Sequence, residues 1–187
     1  ACETVKEAAD AFGMVDPAAH PLAVDLGCCA GRDAREMLRR GWRVLAMDLK
    51  ADGIENLRRL TPRAHLDRLE TQVADLADFA IQPHSWDAVV SIFCHLSPAV
   101  RSAVHPAVVS GLAPGGALVL EAFTPRQLEL ATGGPRAREL MMDLASLRAE
   151  FAGLRFAVAR EIEREVIEGR YHTGAAAVVQ MLALRDH

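Results

Sequence analysis

The sequence predicts an α/β domain: a doubly wound, mostly parallel sheet of seven strands whose last strand runs antiparallel. Three observations carry this. Five apolar runs are short and continuous rather than alternating, which suits strands covered on both faces. Helical patterns lie between them, so the connections are right-handed crossovers. The chain closes with alternating residues, a turn and a long apolar run, the pattern of a β-hairpin.

The first run is Leu22–Leu26, followed by the glycine-bearing turn VDLGCCAGRD and a helix whose apolar face carries Ala34, Met37 and Leu38. The second run is Arg43–Met47, followed by a helix with Ile54, Leu57 and Leu60 on one face. Thr71–Ala74 and Ala88–Phe93 are the third and fourth. Ser97, a good N-cap, and Pro98, suited to a first helical position, then open a helix with Val100, Val104 and Val108, which His105-Pro106 is expected to break or kink. Ala117–Phe123 is the fifth run, and residues 124–142, with Thr132-Gly133-Gly134-Pro135, are expected to form a loop or lid. Phe156, Val158, Arg160, Ile162, Arg164 and Val166 mark an alternating sixth strand, Glu168-Gly169 a turn, and Ala175–Leu184 the last strand. Val5, Ala8, Ala9 and Phe12 suggest a helix within residues 1–20. There is no internal repeat and no low-complexity segment.

A chain of 187 residues, 51% of them apolar, is enough for one domain over residues 1–187 with a substantial core. The net charge is −4 and Lys and Arg are not run together, which argues against a nucleic-acid partner. No apolar run is long enough to span a membrane. The opening ACETVKEAAD lacks the basic and apolar regions of a signal peptide; with no initiator Met, the chain is expected to begin inside a longer product. Four cysteines are too few for a disulfide scaffold and read as reduced thiols of a cytoplasmic protein.

Ligands of open α/β sheets bind beyond the carboxyl ends of the strands. Val24–Asp33 occupies such an end, with Gly27 and Gly31 where the backbone must bend and be approached closely. A dinucleotide turn, G-x-G-x-x-G read from Gly27, would need glycine where Cys29 and Arg32 stand. What remains is Asp25, Gly27 and Gly31. Asp48 ends the second strand, 21 residues after Gly27, where a carboxylate can accept both hydroxyls of a ribose. Asp75 ends the third, where it can take the exocyclic amine of adenine while Leu76 packs on the ring. Asp25 can face an ammonium group. There is no G-K-[ST], hence no P-loop. The charge pattern suits adenine, ribose and a cationic amino-acid tail without phosphate.

On these residues the chain resembles the class I S-adenosylmethionine-dependent methyltransferases. AVDLGCCAGRDA looks like their first motif, VLAMDL their ribose-binding motif and VADLADF their adenine-binding motif; WDAVVSIF resembles their fourth strand and LAPGGALVLEAF the turn into the fifth. The resemblance implies the Rossmann-like methyltransferase fold and S-adenosyl-L-methionine as cofactor, bound by Asp25, Gly27, Cys29, Gly31, Arg32, Asp48, Leu49, Asp75, Leu76 and Phe93. The departure is Cys29, where the family has a middle glycine; a small side chain fits there if φ stays negative. A rival reading gathers Cys28, Cys29, Cys94 and His95 into a metal or redox site. There is no C-x-x-C spacing and adjacent side chains point apart, so buried thiols are the better reading.

GLAPGGALVLEAFTPRQL, ATGGP and EREVIEGRYHTGAAAVVQ resemble the small-molecule branch that includes tellurite-resistance methyltransferases. That resemblance implies a thiol, selenol or oxyanion acceptor such as tellurite, and matches His172 to a histidine proposed to line the acceptor site. If the sixth strand runs parallel to the others, Arg170, Tyr171 and His172 sit above the pocket, Arg170 as an anion-binding fork and His172 as a base or donor. A polar hairpin tip without chemical role remains the alternative. Phe93, Cys94, Glu121, Phe123 and the Thr132–Pro135 loop are expected at the same edge, and His20, His65, His84, His105 and His187 at the surface. Phe93-Cys94-His95-Leu96 lacks an Asn-Pro-Pro-Tyr type motif, against base-amine methylation. The functional alternatives are a catalytically silent S-adenosylmethionine-binding protein and an NAD-linked oxidoreductase. The sequence leaves the oligomeric state open.

Overall fold

The computed structural model describes residues 21–130, 132–167 and 173–186. Seven strands form one sheet in the order β3-β2-β1-β4-β5-β7-β6. These are β1 (Leu22–Leu26), β2 (Arg43–Asp48), β3 (Leu69–Val73), β4 (Trp86–Ile92), β5 (Leu112–Phe123), β6 (Arg155–Ile167) and β7 (Thr173–Leu184). β1 to β5 are mutually parallel, and β7 pairs antiparallel with both β5 and β6, so β6 runs in the direction of β5. The strand order reverses between β1 and β4, the place where open α/β sheets leave a crevice.

Successive residues of a strand face opposite sides, and both sides are apolar here. Ala23, Val44 and Val90 face the helices α1 (Arg32–Arg39) and α2 (Ala51–Leu60), where Ala34, Leu38, Ile54 and Leu57 meet them. Val24, Val89 and Leu120 face the opposite layer, made by α3 (Pro98–Gly111) and α5 (Leu144–Glu150), through Val104, Val108 and Leu147. Burying a central strand on both faces requires the continuous apolar runs seen in the sequence.

Ser97 Oγ accepts the Val100 N–H at 3.4 Å and Pro98 occupies the first turn of α3, as expected. The expected break at Pro106 is absent: α3 runs through it to Gly111. The bond that Pro106 cannot donate would go to the carbonyl of Ser102, an exposed residue that water can serve. His105 is a second correction. It is 3% exposed rather than at the surface, stacked on Phe151 at 4.4 Å with Nδ1 2.6 Å from Glu150 Oε2. Burial pushes its pKa down despite the opposing pull of Glu150. His65 is half-buried and His84 exposed; His20 and His187 lie outside the described residues.

Residues 124–142 are not a bare loop. They hold the short helix α4 (Gln127–Leu130) and a 3-10 turn at Arg138–Leu140. The helix suggested within residues 1–20 and the Glu168-Gly169 turn lie outside the described residues. Among the described residues no helix is long and apolar enough to cross a membrane.

Candidate active site

The turn after β1 is held by its own backbone and by two carboxylates. Gly27 (φ 70), Cys29 (φ 52) and Gly31 (φ 69) are all left-handed. The Cys28 N–H donates to Met47 O and the Gly31 N–H to Cys28 O, both at 2.8 Å. Asp48, at the tip of β2, accepts the Cys29 N–H on Oδ2 (2.8 Å) and the Lys50 N–H on Oδ1 (2.9 Å). It therefore fixes the turn from the neighbouring strand.

A Cβ on Gly27 would stand 2.8 Å from Cys94 Sγ, and one on Gly31 2.1 Å from Leu57 Cδ1, so both glycines are required by shape as well as by φ. The sequence expectation of negative φ at Cys29 is corrected. Its N–H must turn toward Asp48, and the residue takes the left-handed conformation at a cost of about 1–2 kcal/mol. Gly53, not singled out in the sequence, is the compensating glycine: a Cβ there would lie 2.8 Å from Cys29 O.

Asp25 is 3% exposed and its Oδ2 accepts the Ala34 N–H at 3.1 Å beneath the turn. Burial, helped by the nearby Asp33 carboxylate, pushes its pKa up to about 8. Asp33 lies in the first turn of α1 and receives the Arg32 guanidinium at 2.7 Å. Two carboxyl groups thus occupy the helix N-terminus where a dinucleotide site would seat its pyrophosphate. Asp25 already takes the Ala34 N–H and Asp33 the Arg32 guanidinium, so these groups are not open to a phosphate there. Farther along the edge Asp75 is exposed, its Oδ1 accepting the Ala77 N–H at 2.9 Å. Leu76 is buried in the α3–α5 layer, whereas Leu49 is 65% exposed beside Asp48.

Cys28 and Cys94 are buried and Cys29 is exposed. Burial pushes all three thiols up, Cys94 to about 12, so none is a ready thiolate. Among the described residues no three His, Cys, Asp or Glu groups are arranged to hold a metal ion.

The tips of β4 and β5 carry an aromatic stack. Phe93 (φ 53) lies 4.6 Å from Phe123, and His95 lies 5.6 Å from Phe123 with the two rings nearly parallel. His95 Nδ1 donates to Leu140 O at 2.9 Å, and Nε2 accepts the Phe123 N–H at 3.5 Å. A Cβ on Gly134 would touch the Phe123 ring at 2.8 Å, so the 132–135 loop rests directly on this stack. Gln127 is buried and ties the loop down: Oε1 accepts the Ala177 N–H (2.8 Å), and Nε2 donates to Thr132 Oγ1 (3.0 Å) and Gly133 O (3.2 Å). Beside it opens a cavity of about 440 Å³ lined by Gln127, Leu128, Gly133, Gly134, Pro135 and Arg136. Glu121 is fully buried, paired with Arg164 on β6 and with Gln180 on β7. Arg170, Tyr171 and His172 lie outside the described residues.

Gln127 and Arg136 were not singled out in the sequence, and His95 entered only through the rival cysteine reading. Their roles come from partners or a cavity wall that no local spacing reports.

A family described as a methyltransferase domain matches residues 23–116, just over half of the chain. No curated protein matches the sequence. Among solved structures the chain is similar to TehB from Haemophilus influenzae (TM-score 0.73, 18% identity, covering 97% of this chain and 61% of that one). It is also similar to the N-methyltransferase NodS from Bradyrhizobium japonicum (TM-score 0.72, 13% identity, 98% and 93% covered) and to a SAM-dependent methyltransferase from Methanosarcina mazei (TM-score 0.69, 18% identity, 95% and 97% covered). At these identities the likeness shows the fold.

Proposed function

The chain belongs to this methyltransferase family and is an S-adenosylmethionine-dependent enzyme, and from that premise we propose that it methylates a small molecule: a thiol, a selenol or an oxyanion such as tellurite. The observation that carries this reading is the cavity of about 440 Å³ beside the Phe93–Phe123–His95 stack. That is the size of a small-molecule pocket. Its wall includes Arg136, an exposed guanidinium suited to an anionic acceptor.

The donor set of the turn fits the cofactor. Asp48 holds the ribose hydroxyls and Asp75 the adenine amine, with Leu49 and Leu76 as the apolar neighbours. Gly27, Cys29 and Gly31 let the backbone approach, Arg32 steadies Asp33 at the helix start, and Asp25 lies beneath the ammonium group, whose charge favours release of the proton that burial holds on that carboxyl. Phe93 bounds the methionine end. Bound S-adenosylmethionine supplies an already activated methyl group, so the protein's task is to hold a nucleophile in line, which contributes about 7–11 kcal/mol. The 132–135 loop, resting on Phe123, borders that space. Arg170 and His172 are proposed to anchor and to orient or deprotonate the acceptor. Ile167 and Thr173, which flank their segment, pair five residues beyond the Phe123–Val178 pair. That is roughly 17 Å past the tip of β5 at about 3.4 Å per residue, on the edge where the acceptor must arrive.

The test is product formation. The chain is incubated with S-adenosylmethionine and small thiols, selenite or tellurite, and S-adenosylhomocysteine is measured. The proposal expects turnover with at least one of these acceptors, reduced by His172→Ala. Turnover only with protein or nucleic acid would overturn it.

A further inference from the structure

A second recess lies on the helical layer that carries the cofactor turn, apart from the acceptor cavity. Residues 32–68 hold ten of the 21 Lys and Arg but only six of the 25 Asp and Glu, so this stretch is net +4 in a chain that is net −4. The fold concentrates that charge. On α1, Arg32, Arg35, Glu36 and Arg39 share one face, opposite the buried Ala34, Met37 and Leu38. Together with Leu60, Pro62 and His65 they line a groove of about 320 Å³ between α1 and the segment linking α2 to β3.

Its charges are not balanced internally. Glu36 is the single acid on the wall and is already taken by Arg39 (2.6 Å) and Arg40 (2.8 Å), which pull its pKa down to about 2. Arg32 is held by Asp33. Arg35 donates Nε to Gly31 O at 3.2 Å and has no carboxylate partner among the described residues. Of the three guanidinium groups that line the groove, Arg32 and Arg39 have carboxylate partners and Arg35 has none among the described residues, so Arg35 is the cation left to meet a ligand. His65 adds a directed donor: Arg68 Nη2 stands 2.8 Å from its Nδ1, and an arginine can only donate, so Nδ1 accepts and the ring hydrogen is on Nε2. Leu60, 43% exposed, and Pro62 give one apolar wall.

We infer that this groove binds a phosphate-bearing small molecule, a phosphate monoester or diphosphate, through the Arg35 guanidinium fork and His65 Nε2. An anion matches the Arg35 cation, the planar fork matches phosphate oxygens, and the volume matches a small ligand. The inference goes beyond the methyl-transfer reading and does not depend on the acceptor.

Inorganic pyrophosphate is the probe, titrated into the full chain by calorimetry at low ionic strength with the cofactor site saturated by S-adenosylhomocysteine. One binding event is expected, weakened about tenfold or more by Arg35→Gln and also by His65→Phe, in variants whose melting temperature and S-adenosylhomocysteine affinity match the parent. Absence of binding, unchanged affinity in both variants, or displacement of S-adenosylhomocysteine by pyrophosphate would overturn it. So would an RNA oligonucleotide whose affinity rises with length, since that identifies an extended nucleic-acid surface instead.

Discussion

At the tips of β1 and β2 the contacts that shape the site join backbone groups to carboxylates close in sequence: Lys50 to Asp48 across two positions, Ala34 to Asp25 across nine and Cys29 to Asp48 across 19. At the tips of β4 and β5 they join groups far apart: His95 to Leu140 across 45 positions, Gln127 to Ala177 across 50 and Glu121 to Arg164 across 43. The first half is a locally encoded cradle whose shape is set by where glycine can stand. The second is built from side chains distant in sequence. One protein thus sets a locally encoded turn beside a region built by long-range contacts.

The sharpest break in this comparison is Gly31→Ala. The new Cβ would lie 2.1 Å from Leu57 Cδ1 at a φ of 69, so the cradle and the α1–α2 contact cannot both persist. A loss of about 2–4 kcal/mol in urea unfolding is expected. Asp48→Ala comes next. It strands the Cys29 and Lys50 N–H groups and removes the proposed ribose acceptor, and S-adenosylhomocysteine affinity measured by calorimetry falls about 100-fold.

Asp25 adds a pH signature to the cradle half. Its pKa is raised by burial to about 8, from 3.8 in the unfolded chain. Between those values the folded state keeps a proton that the unfolded state has lost. Cofactor-free stability therefore falls as pH rises from about 4 to about 8, by at most about 1.4 kcal/mol per pH unit. Denaturant midpoints across that window should show the slope, and Asp25→Asn should flatten it. The mildest effect is expected in the assembled half. Gln127→Leu leaves the Ala177 N–H without its acceptor and frees the loop at Thr132 and Gly133. A stability loss of about 1 kcal/mol and a raised acceptor KM are expected, with S-adenosylhomocysteine affinity unchanged. A large loss of cofactor affinity would show that the two halves are not separable.

The same division governs what the sequence made legible. β1 was readable to the residue because its five-residue apolar run is bounded by Pro21 and Gly27. β5 starts five residues earlier than its apolar run, because Leu112-Ala-Pro-Gly-Gly looks like a turn but pairs with Trp86 before the register shifts to Ala88↔Ala117. Cys29 was recognised as the departure in the turn, yet its positive φ follows from Asp48 and Gly53, residues on neighbouring elements. His105 and Pro106 looked like a helix break. What decides there is Glu150, 45 residues on, which gives a buried imidazole its partner. Gln127 carries no pattern at all; its three bonds exist only once β7 lies beside β5.

A crystal structure with S-adenosylhomocysteine tests the division most directly. The account predicts ribose hydroxyls on Asp48, adenine beside Asp75, and the sulfur directed past Phe93 toward the cavity lined by Gln127, Gly134 and Arg136. A ribose held elsewhere, or a sulfur facing away from that cavity, would contradict it.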